Sequence, residues 1–152
     1  MSDVDQAYWI SWYNLPEQGR DDYLAWVHEQ YMPKVLERPG VLWAAHYASE
    51  ENVVPLGGGK GRVSHVKPDS VPAGDRFILI FGAAEGHALA NPSPLRFHAG
   101  LPEHDRTMLA MRTGERTNVM LEEARVYGPD APDHGIAPSP CIQLGSFNAG
   151  SY

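Results

Sequence analysis

Residues 8–47 read YWISWYNLPEQGRDDYLAWVHEQYMPKVLERPGVLWAAHY, and this stretch decides the fold. Tyr8, Trp9, Trp12 and Tyr13 crowd its start. Aromatic residues favour a pleated, half-buried surface, so a strand is predicted here. Leu15-Pro16-Glu17-Gln18-Gly19 breaks that strand. Asp21 or Asp22 is expected to cap the helix that follows, whose positive N-terminal end suits an acidic group. From about Arg20 to Arg38, Leu24, Val27, Tyr31 and Val35 recur at helical spacing, and His28 falls in the same stripe. Pro33 lies inside this pattern. It lacks a backbone donor and clashes with the preceding turn, so a kink or restart is predicted near Gln30 to Met32. Pro39-Gly40 ends the helix. Val41 to Tyr47 then returns as a strand, with Val41, Trp43, Ala45 and Tyr47 on one face and Leu42, Ala44 and His46 on the other.

The 152 residues suit one domain with a real core. No apolar run reaches the length of a membrane span, and the opening MSDVDQ does not read as a secretory signal. A formal charge of −7 disfavours a nucleic-acid partner, which would call for a basic patch. The lone Cys141 allows no internal disulfide and forms no zinc motif. A cytoplasmic setting is therefore expected. The four Trp and seven Tyr suit a binding pocket, a core or a dimer interface equally well.

Further along, Ser49 to Asp75 holds Gly57-Gly58-Gly59-Lys60-Gly61 and reads as a long loop, a lid or an arm toward a partner. It lacks the Gly-Lys-Ser/Thr ending of a phosphate-binding loop. Arg76 to Gly82 is a strand apolar on both faces, with Phe77, Leu79 and Phe81 opposite Ile78 and Ile80. Ala83 to Arg112 should be helical with interruptions at Asn91-Pro92-Ser93-Pro94, and Pro102 fits the first turn of a further helix. His98 and His104 are too awkwardly spaced across Gly100 and Pro102 to share a helical face, so no metal site is expected. Thr113-Gly114-Glu115 reads as a turn and Thr117 to Tyr127 as the last strand, with a bulge near Glu122-Glu123. The domain is thus expected over residues 1–128. Residues 129–152 are expected to form a linker and a C-terminal strand, either swapped into a partner subunit or opening a second repeat.

Strand, helix, strand, loop, strand, broken helix, strand is the ferredoxin-like split βαβ order, an α+β fold. The aromatic first strand, Trp26-x-His28, Met32-Pro33 and Pro39-Gly40 resemble the dimeric α/β-barrel superfamily, in particular its EthD-like and antibiotic-biosynthesis-monooxygenase-like groups. The resemblance implies a four-stranded antiparallel sheet with helices on one face and a second subunit on the other. It also implies that any pocket lies between sheet and helices. Members include cofactor-independent oxygenases, cyclases and isomerases of polyketide-like or aromatic compounds, haem enzymes, and proteins without known activity.

The expected function is therefore a small-molecule enzyme that needs no cofactor or metal and acts on a hydrophobic or aromatic substrate. His28, His46 and Tyr13 are the candidate catalytic residues, since imidazole titrates near neutral pH. Asn14, Trp26, Tyr31, Tyr47, Phe81 and His98 are candidate substrate contacts. Two alternatives stand beside this reading. One is a haem protein with His98 or His104 as axial ligand. The other is a non-catalytic binding or assembly protein whose aromatic residues mainly build a dimer and whose histidines are core residues.

Overall fold

The computed structural model describes residues 4–49, 74–130, and 142, 144 and 145. Most of the glycine-rich segment and most of the tail therefore lie outside the described residues. So do the expected lid or arm and the C-terminal strand.

Four strands carry the fold: β1 (Ala7–Asn14), β2 (Val41–Ala48), β3 (Phe77–Ala83) and β4 (Thr113–Leu121). They form one sheet in the order β2-β3-β1-β4, and every neighbouring pair is antiparallel. Between β1 and β2 run α1 (Arg20–Trp26), a π-helical turn (Val27–Tyr31) and α2 (Met32–Leu36). Between β3 and β4 run α3 (Gly86–Ala90), α4 (Pro94–Ala99) and α5 (Glu103–Leu109). This is the ferredoxin-like split βαβ topology, and the α+β fold expected from residues 8–47 is the one observed. No helix among the described residues is long and apolar enough to cross a membrane.

The break expected around Pro33 is the π turn. The Met32 N–H reaches back to the Val27 carbonyl, five residues away, and Pro33, which has no N–H to offer, opens α2. The wider turn keeps Val27 and Tyr31 buried and rotates His28 outward. His28 is exposed, not part of the buried stripe. The helix start also differs from expectation. Gly19, at φ 78°, occupies the cap position, and Asp21 and Asp22 sit in the first turn without a side-chain capping bond. There they still favour the positive end of the helix.

Two strand boundaries are corrected by pairing. Residue Asn14 of β1 stands opposite Thr113, and Ala7 stands opposite Leu121. The segment Thr113-Gly114-Glu115 is therefore strand, and beyond Leu121 no β1 residue remains to pair. Irregular register falls on β1 between Trp12 and Asn14 and on β2 between Val41 and Trp43, not at Glu122-Glu123. The β2 irregularity sends Val41 to the helix side with Ala44, while Trp43 and Tyr47 stay on the far side.

Each face of the sheet has its own core. The helix side holds Trp9, Tyr13, Tyr23, Trp26, Val27, Tyr31, Val35, Leu79 and Phe81. Side chains such as Leu79 and Phe81, fully withdrawn from water, contribute about 1.5–3 kcal/mol each. The far side holds Ile10, Trp12 and Ile80, flanked by Tyr8, Trp43, Tyr47 and Ile78. Gly82 is required there, because a Cβ on it would come within 2.2 Å of the Trp43 ring.

Candidate functional site

The last residues of β1 and β2 meet the π turn on the helix side of the sheet. Alternation along β1 places Tyr13 on this face, where its relative exposure is 0%. Its hydroxyl lies 2.6 Å from Nε2 of His46, and the two rings stack with an interplanar angle of 12°. The other nitrogen of His46, Nδ1, lies 2.9 Å from Nε2 of His28. Tyr13, His46 and His28 thus form one hydrogen-bonded chain from a fully buried hydroxyl to an exposed imidazole.

The protonation state of this chain follows from its surroundings. Burial, with the nearby charges of His28 and Arg112, pushes His46 down to about 3, so at neutral pH it holds a single proton. Burial likewise pushes the Tyr13 phenol up, so Tyr13 keeps its proton. Phenol is the better donor and imidazole nitrogen the better acceptor, so Tyr13 donates to Nε2 of His46. The His46 proton then sits on Nδ1 and is donated to Nε2 of His28.

A second pair lies deeper. The Tyr31 hydroxyl, on a residue 1% exposed, is 2.5 Å from Nε2 of His98. Burial, with the charges of Arg112 and Arg38, pushes His98 down to about 4. Its ring packs against Trp9 and Phe97. Axial ligation of haem through Nε2 would require breaking the Tyr31 bond. His104 is exposed on α5.

Between the two pairs lies Arg112, just after α5. Its side chain is 0% exposed. Nε donates to the Tyr23 hydroxyl at 2.7 Å, and one terminal nitrogen, Nη1, donates to Glu115 at 3.1 Å. The guanidinium carbon stands 4.5 Å from the Tyr13 ring centre, 5.4 Å from that of Tyr31 and 5.9 Å from that of Tyr23. Burial opposes this charge, but the tyrosine oxygens and Glu115 outweigh it and raise the Arg112 pKa. The other terminal nitrogen, Nη2, is buried and has no hydrogen-bond partner among the described residues. Sequence reasoning missed Arg112. It sits alone in Met111-Arg112-Thr113, and its one local signal is Glu115 three residues on.

The remaining sequence candidates are placed as follows. Trp26 is buried, donates its indole N–H to Asp105 at 2.9 Å and stacks on Tyr31. Asp105 also pairs with Lys34. Burial raises the Asp105 carboxyl, but the bonds from Lys34 and Trp26 prevail and leave it below the usual range. Phe81 is packed between Trp9 and Tyr31. The Asn14 side chain accepts the backbone N–H groups of Asp75 and Arg76, so it binds the chain entering β3 instead of facing the helices. Tyr47 lies on the far face of the sheet. The structure therefore brings together Tyr13, His28 and His46, with Tyr31, His98 and Trp26 next to them. Asn14 and Tyr47 stand apart. Among the described residues, no group of three or more His, Cys, Asp and Glu side chains is placed to hold a metal ion.

No family model matches the chain, and no curated protein matches it. Among solved structures, the chain is similar to a monooxygenase from the gene ActVA-Orf6 of Streptomyces coelicolor, in complex with the ligand Nanaomycin D. The TM-score is 0.44 at 10% identity, over 83% of this chain and 94% of that one.

Proposed function

We propose that the protein is a small-molecule enzyme that moves a proton between a hydrophobic aromatic or polyketide-like substrate and solvent through Tyr13, His46 and His28. The observation that carries this reading is the unbroken chain from the buried Tyr13 hydroxyl to the exposed His28 ring. A neutral His46 cannot store a proton near pH 7, but it can pass one on. A phenol or enol gives its proton to the Tyr13 oxygen as the Tyr13 proton moves to Nε2 of His46. The Nδ1 proton of His46 moves at the same time to Nε2 of His28, which becomes an imidazolium in contact with water. The electron-rich substrate anion left behind is the common starting point of oxygenation, cyclisation and elimination. Positioned acid–base groups of this kind contribute about 10²–10⁴ in rate.

The far face of the sheet, with Trp12 and Ile80 at its centre, is proposed as the contact surface of a homodimer. A non-catalytic binding protein is the second reading, favoured by the complete burial of Tyr13 and Tyr31 among other rings. The deciding test is a panel of phenolic and enolisable polycyclic compounds, followed by absorbance and by oxygen uptake. Tyr13→Phe and His28→Ala are compared with wild type. The enzyme reading expects turnover by wild type and a loss of about 100-fold in Tyr13→Phe. Binding without turnover, or equal turnover by all three proteins, would favour the second reading.

A further inference from the structure

We infer that Arg112 anchors an oxyanion, so that the ligands of this site are hydrophobic acids: aromatic carboxylates, or enols and phenols acidic enough to ionise. This deepens the proposed site and takes its location from that reading, but it does not require turnover there.

A guanidinium carries five N–H groups in a rigid planar fork. Nε is taken by Tyr23 and one terminal nitrogen by Glu115. The Nη2 nitrogen is buried and unpartnered among the described residues. Leaving a buried donor unmet is costly, and more so when it is charged. Among the described residues, Glu115 is the acid within ion-pair distance of the guanidinium, and its own side chain is 34% exposed. The other groups around the guanidinium are neutral phenols, with imidazoles held neutral nearby.

A carboxylate or enolate oxygen would complete the fork with a charge-assisted bond. A neutral ligand would leave the cation as it is. The rings of Tyr13, Tyr23 and Tyr31 pack about the guanidinium and hold the plane of the Arg112 head. Arg38 also has an unpartnered buried nitrogen, but its head lies over the rings of Trp9 and Phe97 and its other terminal nitrogen donates to the backbone carbonyls of Ala88 and Pro92, away from the three tyrosines.

The test measures binding, not catalysis. Titration calorimetry near neutral pH compares two matched pairs of probes on the full-length protein: 2-naphthoate with 2-naphthamide, and 2-hydroxy-1,4-naphthoquinone with its methyl ether. At least one acid should bind about tenfold or more tighter than its neutral twin, the worth of one charge-assisted hydrogen bond. The pair that discriminates tells a carboxylate from an enolate. In Arg112→Met that preference should collapse. In Glu115→Gln, which frees the guanidinium from its competitor, the acid should bind severalfold tighter. Equal binding of acid and neutral twin, binding of no probe, or a preference that survives Arg112→Met overturns the inference. If circular dichroism shows Arg112→Met unfolded, Glu115→Gln decides alone, and an unchanged acid affinity overturns it. Acid preference without turnover would remove the catalytic reading and leave this one standing.

Discussion

The two faces of the sheet are built from the same kinds of residue to opposite ends. On the helix side, aromatic rings alternate with polar groups that bond to each other: Tyr13 to His46, His46 to His28, Tyr31 to His98, Arg112 to Tyr23. On the far side, Ile10, Trp12, Trp43, Ile78 and Ile80 pack together, and the polar contacts stay at the rim. There Arg116 lies 4.1 Å over the Trp12 ring, and the Trp43 indole N–H reaches Asp5 at 3.1 Å. Parity along β1 separates the two, because Trp9 and Tyr13 fall on one face and Ile10 and Trp12 on the other. An aromatic-rich strand is thus not itself a functional signal. What distinguishes the faces is where the polar atoms lie: within the core on the helix side, where most of them bond to one another and Nη2 of Arg112 and Nε1 of Trp9 do not, and at the rim on the far side.

The contrast is broken most strongly by one substitution on each face. Ile80→Ala should cost about 2–5 kcal/mol of stability, read by urea denaturation, and leave affinity for naphthoate-type probes unchanged. Tyr13→Phe should cost about 1–3 kcal/mol, because it leaves Nε2 of His46 without its donor, and remove most of any turnover. The reverse pattern would mean that the far face holds the site.

Acid sharpens the comparison. The pKa values of His46 and His98 are lowered in the fold, to about 3 and about 4, against about 6.5 in the unfolded chain. Above pH 6.5 both states are neutral at these rings, and their contribution is fully present. Between 6.5 and those lowered values the unfolded chain binds more protons, so stability falls as pH falls. The slope is at most about 1.4 kcal/mol per pH unit for each histidine. In His46→Phe the slope should shrink, whereas in Ile80→Ala it should keep its wild-type value. A smaller loss, about 1–3 kcal/mol, is expected for Asp105→Ala, which strips the Trp26 N–H of its acceptor and Lys34 of its partner. Asn14→Ala should lose about 1 kcal/mol, because its two backbone donors lie near the surface and can turn to water.

The fold was legible in residues 8–47 because strand and helix periods alternate there without overlap. The break before Pro33 was legible for the same reason, since a missing donor is a local fact. The exposure of His28 was not, because the width of the turn that Pro33 imposes decides where the ring points. Tyr13, His28 and His46 stood out as candidates by residue type, but the bonds between them depend on β2 lying two places from β1 in the sheet. Arg112 left no periodic trace. Its burial arises from tyrosines at 13, 23 and 31 converging on a residue far along the chain, and separation of that kind is invisible to local pattern.

The measurement closest to the central claim is the protonation state of His46, followed by nitrogen-15 NMR of the imidazole side chains from pH 8 down to pH 4. His46 should remain neutral across this range with its proton on Nδ1, and its Nε2 signal should change in Tyr13→Phe. A ring that titrates near 6.5, or that carries its proton on Nε2 and ignores the loss of the Tyr13 hydroxyl, would contradict it.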